Sequence, residues 1–176
     1  MKHLLVAALT LVCLLGAFAS SAAAQETITL WADNMNTNSG NVTISIDGDT
    51  LSVSYDTTDG WVMTETHIYV GTVAPTKSSP GRFPYMHEDL GGITSDNYSI
   101  SLSELGLVDG GTVYISAQAA LQKPMLDANG NPVLDEEGNQ VYIEEGAWAE
   151  GDPLPTGKNW AMYFSLDAPA AGAAVK

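Results

Sequence analysis

The feature that most constrains this chain is a period of two. In "NVTISID", residues 41–47, Val42, Ile44 and Ile46 alternate with Thr43, Ser45 and Asp47. Successive side chains of an extended strand point to opposite faces, so this pattern gives one apolar face and one polar face. The same alternation runs through "TLSVSYD" (Leu51, Val53, Tyr55) and "NYSISL" (Tyr98, Ile100, Leu102). It continues in "TVYISAQAAL" (Val113, Ile115, Ala117, Ala119) and "NWAMYFSL" (Trp160, Met162, Phe164, Leu166). "TITLWAD", residues 27–33, reads as a first strand, and the Asp47-Gly48-Asp49 junction predicts a hairpin. Helical spacing is confined to "SLSELGL", residues 101–107, a candidate short helical turn. About seven or eight short strands parted by Gly-, Asn- and Pro-rich turns predict an all-β fold. The architecture expected is an antiparallel β-sandwich, jelly-roll or immunoglobulin-like, interrupted by two long loops.

The first long connection, "TVAPTKSSPGRFPYMHEDLGGITSD", carries several prolines. Loops of that length are usually functional or packed by their own aromatic residues. The second contains a local repeat, "DANGNPVL" (127–134) followed at once by "DEEGNQVY" (135–142). Each half places a turn, around Gly130 or Gly138, before a short extended piece, which predicts a projecting hairpin.

The ends fix the expected location. Lys2, an apolar run from Leu4 to Phe18 and the small residues Ala22-Ala23-Ala24 form a secretory signal pattern. Cleavage before Gln25 makes residues 1–24 a signal peptide, 25–167 one β-domain and 168–176 a flexible tail. Such a chain is secreted, extracellular or periplasmic, with no membrane anchor after cleavage. The single cysteine, Cys13, lies inside the leader, so the domain must hold together without disulfides. Lys and Arg number 6 against 21 Asp and Glu, a net charge of −15. That balance repels nucleic acid and anionic membranes and favours cations, calcium above all outside cells.

Several stretches together, "DGWVMTETHIYVG", "PGRFPYMHEDLG", "VYISAQAAL", "GAWAEGD" and "GKNWAMYFSL", resemble a recurring extracellular β-sandwich domain. That domain is found in secreted and surface proteins of bacteria and archaea, and the resemblance spans roughly residues 41–166. It implies a fold and a location, and no chemistry. Two departures stand out: Gln118 occupies a position where the family's strand often carries histidine, and the insertion from Gln122 to Tyr142 is long.

Candidate sites follow from residue type and spacing. In "WVMTETHIYVG", strict alternation puts Trp61, Met63, Glu65, His67 and Tyr69 on one face. The other face then holds Val62, Thr64, Thr66, Ile68 and Val70. Glu65 and His67 in a central strand must find partners, because a buried unpaired polar group is costly. Hydrogen bonds to neighbouring strands would satisfy them. The sharper reading folds His87 and Glu88 of "YMHEDL" over that face, so that Glu65, His67 and His87 hold zinc and serve a metal-dependent hydrolase. Asp127, Asn129 and Asp135 offer hard oxygen ligands for calcium, although Asp, Asn and Gly also simply make turns. Trp31 and Trp148 are candidates for stacking on sugar rings. The chain lacks G-x-S-x-G, a phosphate-cradling glycine loop and H-E-x-x-H. The reading is a secreted, non-catalytic binding or structural module, with calcium ahead of zinc as its metal. Its expected partners are a polysaccharide, a surface protein, or copies of itself.

Overall fold

A computed structural model describes residues 24–107, 110–154 and 160–168 of the chain. The proposed leader up to Ala23 and the tail beyond Ala168 lie outside the described residues. The strands are β1 (Ala24–Ala32), β2 (Thr37–Asp47), β3 (Thr50–Thr57), β4 (Val62–Gly71) and β5 (Tyr85–His87). After them come β6 (Ser95–Ser101), β7 (Thr112–Pro124), β8 (Tyr142–Ala149), β9 (Asp152–Pro153) and β10 (Met162–Asp167). They pair in the order β5-β4-β7-β8-β1-β2-β3-β6, with β10 on β7 and β9 on β10. Every pairing among the described residues is antiparallel.

The all-β, antiparallel expectation therefore holds, and the strands join in one continuous hydrogen-bonded order. One sheet curls into a half-barrel, and its concave side holds the core. Leu30, Val42, Ile44, Leu51, Tyr55 and Ile115 are fully buried there. The β2–β3 hairpin forms as the alternation predicts, with Val42 opposite Tyr55, Ile44 opposite Val53 and Ile46 opposite Leu51. Truncating one of these, as in Leu30→Ala, would cost about 2–5 kcal/mol. Where β2 crosses β3 at Gly40, a Cβ would stand 2.1 Å from the Asp56 carbonyl oxygen, so only glycine fits.

Three segments take more specific forms than the sequence indicates. Residues 102–106 form hydrogen-bonded turns of the i→i+3 kind, with Ser101 and Ser103 bonded to Asp49. The first long connection contains short regular pieces: a 3-10 turn at Pro80–Arg82 precedes β5, and Ile93 bridges to Met63. The second projects as two tight turns closed on each other. Met125 N–H donates to Val141 O, Val133 N–H to Met125 O, and Val141 N–H to Val133 O. Gln140 closes this ring, its Nε2 reaching the carbonyls of Met125 (3.1 Å), Val133 (3.2 Å) and Val141 (2.6 Å). Among the described residues, no helix is long and apolar enough to cross a membrane.

Candidate functional site

A bulge in β4 decides which side chains share a face. The β4–β7 register runs Met63↔Leu121 and then Glu65↔Ala120, so Thr64 is the extra residue. Trp61 and Met63 consequently point into the core together with Ile68 and Val70. Glu65, His67 and Tyr69 point to the other side of the sheet. Strict alternation had placed all five of Trp61, Met63, Glu65, His67 and Tyr69 together; the bulge separates them.

On that outer side, His67 begins a row that crosses four strands. His67 stands opposite Gln118, Gln118 opposite Trp148, and Trp148 opposite Trp31. Three residues singled out from distant parts of the sequence are thus aligned, and the fourth is Gln118. His67 is only 4% exposed, and its Nδ1 lies 2.8 Å from Gln118 Oε1. On its other side Nε2 faces Glu65, whose Oε2 is 3.6 Å away.

One half of this outer face is covered. Phe83, Trp148, Leu154, Ala161 and Met162 form a second apolar cluster, with Tyr69 packed against it. The Phe83 ring meets Tyr69 and Trp148, each at 6.1 Å between centroids. Ser116 Oγ donates to the Met162 carbonyl at 2.6 Å, which pins the covering segment to β7. Trp148, expected as an exposed sugar platform, is 4% exposed inside this cluster. Trp31 is half-buried, and its Nε1–H donates to Glu150 at 2.9 Å.

The other half is open. Next along the strands from His67–Gln118, the register brings Glu65, Ala120 and Gly146 into line. Because the last two are small, they leave a depression of about 370 Å³ lined by Thr64, Ala120, Gln122, Glu144, Glu145 and Gly146. A Cβ added at Gly146 would stand 3.7 Å from Gln118 Nε2, so that amide nitrogen lies at the border of the depression. The His67–Gln118 pair marks the line between the covered and the open half.

His87 does not join Glu65 and His67. It registers with Thr66, which points to the concave side. There it meets a cluster that sequence reasoning missed. His87 Nδ1 lies 2.9 and 3.0 Å from the two oxygens of Asp96, and the His87 ring stacks on Tyr98 at 4.2 Å. Thr66 Oγ1 donates to Asp96 Oδ2 at 2.5 Å, and Tyr98 Oη donates to the Thr66 carbonyl at 3.0 Å. Asp96 and Tyr98 belong to β6, at the far end of the sheet from β4 and β5. The cluster therefore clasps the two ends of the curl across the core's open side. The only hint in the sequence was Asp96, an acid one residue before the "NYSISL" alternation, with its own side chain on the apolar face.

The calcium candidates act as turn formers. Asp127 Oδ1 accepts from the N–H groups of Asn129 (2.8 Å) and Asn131 (2.9 Å). Asp135 Oδ1 accepts in the same way from Glu137 (3.0 Å) and Asn139 (2.7 Å). These bonds, first those from Asn131 and Asn139, hold both carboxyls below their ordinary pKa. Asn129 supplies a backbone N–H to this turn. Among the described residues, no group of three or more His, Cys, Asp or Glu side chains is arranged to hold a metal ion.

Compared with protein-family models, with curated proteins and with solved structures, the chain matches none, so its function rests on this geometry alone.

Proposed function

We propose that the protein is a secreted, non-catalytic binding module that holds a neutral sugar residue of a polysaccharide in the outer-face depression. The observation that carries this reading is the pairing of a small-residue floor, Ala120 and Gly146, with a ring of hydroxyl, amide and carboxylate groups. A sugar presents hydroxyls all around a compact ring. Glu144 accepts hydrogen bonds from them, while Thr64 and Gln122 both give and accept. The volume falls within the range of small-ligand sites. Repulsion from Glu65 and Glu144 selects against anionic glycans. Catalysis finds less support: His67 is committed to Gln118, and His87 stands on the other face of the sheet. This reading moves sugar recognition from the Trp31 and Trp148 rings to the strand surface beside them.

Gly146→Leu tests it. Gly146 is not in the left-handed region, and its Cβ position is free of close contacts, so leucine fills the depression without strain. Retention on gels cast with soluble neutral glucan or xylan should be lost in the variant, with the melting temperature unchanged. Equal retention of both proteins, or of neither, would reject the site.

A further inference from the structure

Strand β1 is paired unequally along its two edges. One edge is joined to β2 over the whole strand, from Ala24↔Ile46 to Ala32↔Thr37. The other meets β8 only at Leu30↔Ala149 and Trp31↔Trp148, with Glu150 N–H donating to Thr29 O at 2.9 Å. Backbone groups of a strand alternate sides residue by residue. Since Thr29 faces β8, Thr27 and Gln25 direct their N–H and C=O groups the same way, and neither has a backbone partner there among the described residues.

Strand β10 mirrors this. Ala168 N–H donates to Gly111 O at 2.9 Å, so Leu166 and Phe164 face β7 while Ser165 and Asp167 face away. β9 covers that outer edge only at Met162 and Tyr163. The chain between β8 and β9 touches both strands: Glu150 bonds Thr29 of β1, and Asp152 pairs with Tyr163 of β10. This bend lies between β1 and β10, and beyond it no described strand pairs with either of the two edges. A cavity of about 240 Å³ lies there, lined by Gln25, Glu26, Ile46, Leu166 and Asp167.

We propose that this gap accepts an extended segment of a partner protein as an added strand, one in which apolar residues alternate with basic ones. The occupant class follows from what the gap lacks. Two facing rows of unpaired N–H and C=O groups are satisfied together only by another extended backbone. Ile46 and Leu166 give apolar contact to every second side chain on the core side, with Glu26 at its rim, and Asp167 on the opposite face attracts the lysines or arginines between them. The net charge of −15 opposes a second copy of this chain in the same role. β8 and β10 both run antiparallel to β7, and β1 runs antiparallel to β8. β1 and β10 are therefore antiparallel, and the added strand is parallel to one and antiparallel to the other.

The test uses the full chain and two synthetic eight-residue probes, one alternating valine with lysine and one alternating valine with glutamate. The valine–lysine peptide should bind and slow amide exchange at Gln25, Thr27, Ser165 and Asp167, while the valine–glutamate peptide should not. Thr27→Pro removes one edge donor at a position where proline leaves the β1–β2 pairing intact, and should weaken binding at least about tenfold. Binding without protection of those amides, or equal binding of both peptides, would overturn the proposal. So would a dimer of the chain alone that protects the same amides, because a second copy would then be the occupant.

Discussion

His67 and His87 lie on adjacent strands, yet they face opposite sides of the sheet, because His87 registers with Thr66 and Met86 registers with His67. A one-residue offset in register exchanges faces completely. It removes His87 from any shared site with Glu65 and leaves His67 to Gln118. Gln118→Leu should then leave a buried imidazole nitrogen unpaired and cost about 1–3 kcal/mol in urea unfolding. The double variant His67→Leu/Gln118→Leu should cost less than the two single changes added together. Additive costs would mean that the pair is not coupled.

Asp96 holds the seam more than His87 does. It accepts from the buried Thr66 hydroxyl and from the half-exposed His87, so Asp96→Ala should destabilise by about 2–3 kcal/mol. Because the His87 side chain is 43% exposed, solvent replaces much of what it loses, and His87→Ala should cost under about 1.5 kcal/mol. Denaturant unfolding of the two variants side by side checks the order, and a larger loss for His87→Ala would refute it.

Gln140 should be the residue on which the projecting turns depend. Its amide nitrogen lies within hydrogen-bond reach of the Met125, Val133 and Val141 carbonyls, among which its two N–H groups are shared. Gln140→Ala should speed amide exchange at Met125, Val133 and Val141 at least about tenfold, a loss of about 1.4 kcal/mol of local stability. Exchange in β2 and β3 should not change. Unaltered exchange in the projection would show that the backbone ring holds without its cap.

Stability should fall on the alkaline side through Tyr55. The ring is fully buried, its Oη donates to the His67 carbonyl at 3.2 Å, and burial raises its pKa well above the ordinary 10.0. A raised folded-state value means that stability is intact below pH 10.0 and declines above it, as the unfolded chain ionises first. Tyr98 is shifted upward too, again mainly by burial, and adds to the same decline. Tyr55→Phe should flatten the decline measured by urea titrations across that range. An unchanged pH slope would place the effect elsewhere.

Local pattern carried much of the fold. The β2–β3 hairpin and the faces of β6 and β7 follow directly from apolar alternation, since a strand with one dry side must sort its residues by two. Asp127 and Asp135 were legible as turn residues for a similar reason: their side chains bond backbone only a few positions ahead. β8 was not legible as a strand. Its core-facing positions include the small Ala147 and Ala149, while Glu144 and Glu145 gave the segment the look of a loop.

Thus the sequence by itself determined that the chain is made of antiparallel strands, which residues line most of the core, and where the turns fall. Those outcomes depend on interactions within a few residues. Only the tertiary structure decided that the strands form one curled sheet, that Thr64 bulges and turns Glu65 and His67 outward, and that Asp96 meets His87 across the seam. Register, bulges and the approach of distant strand edges depend on pairing between segments far apart in the chain, and no local period encodes them.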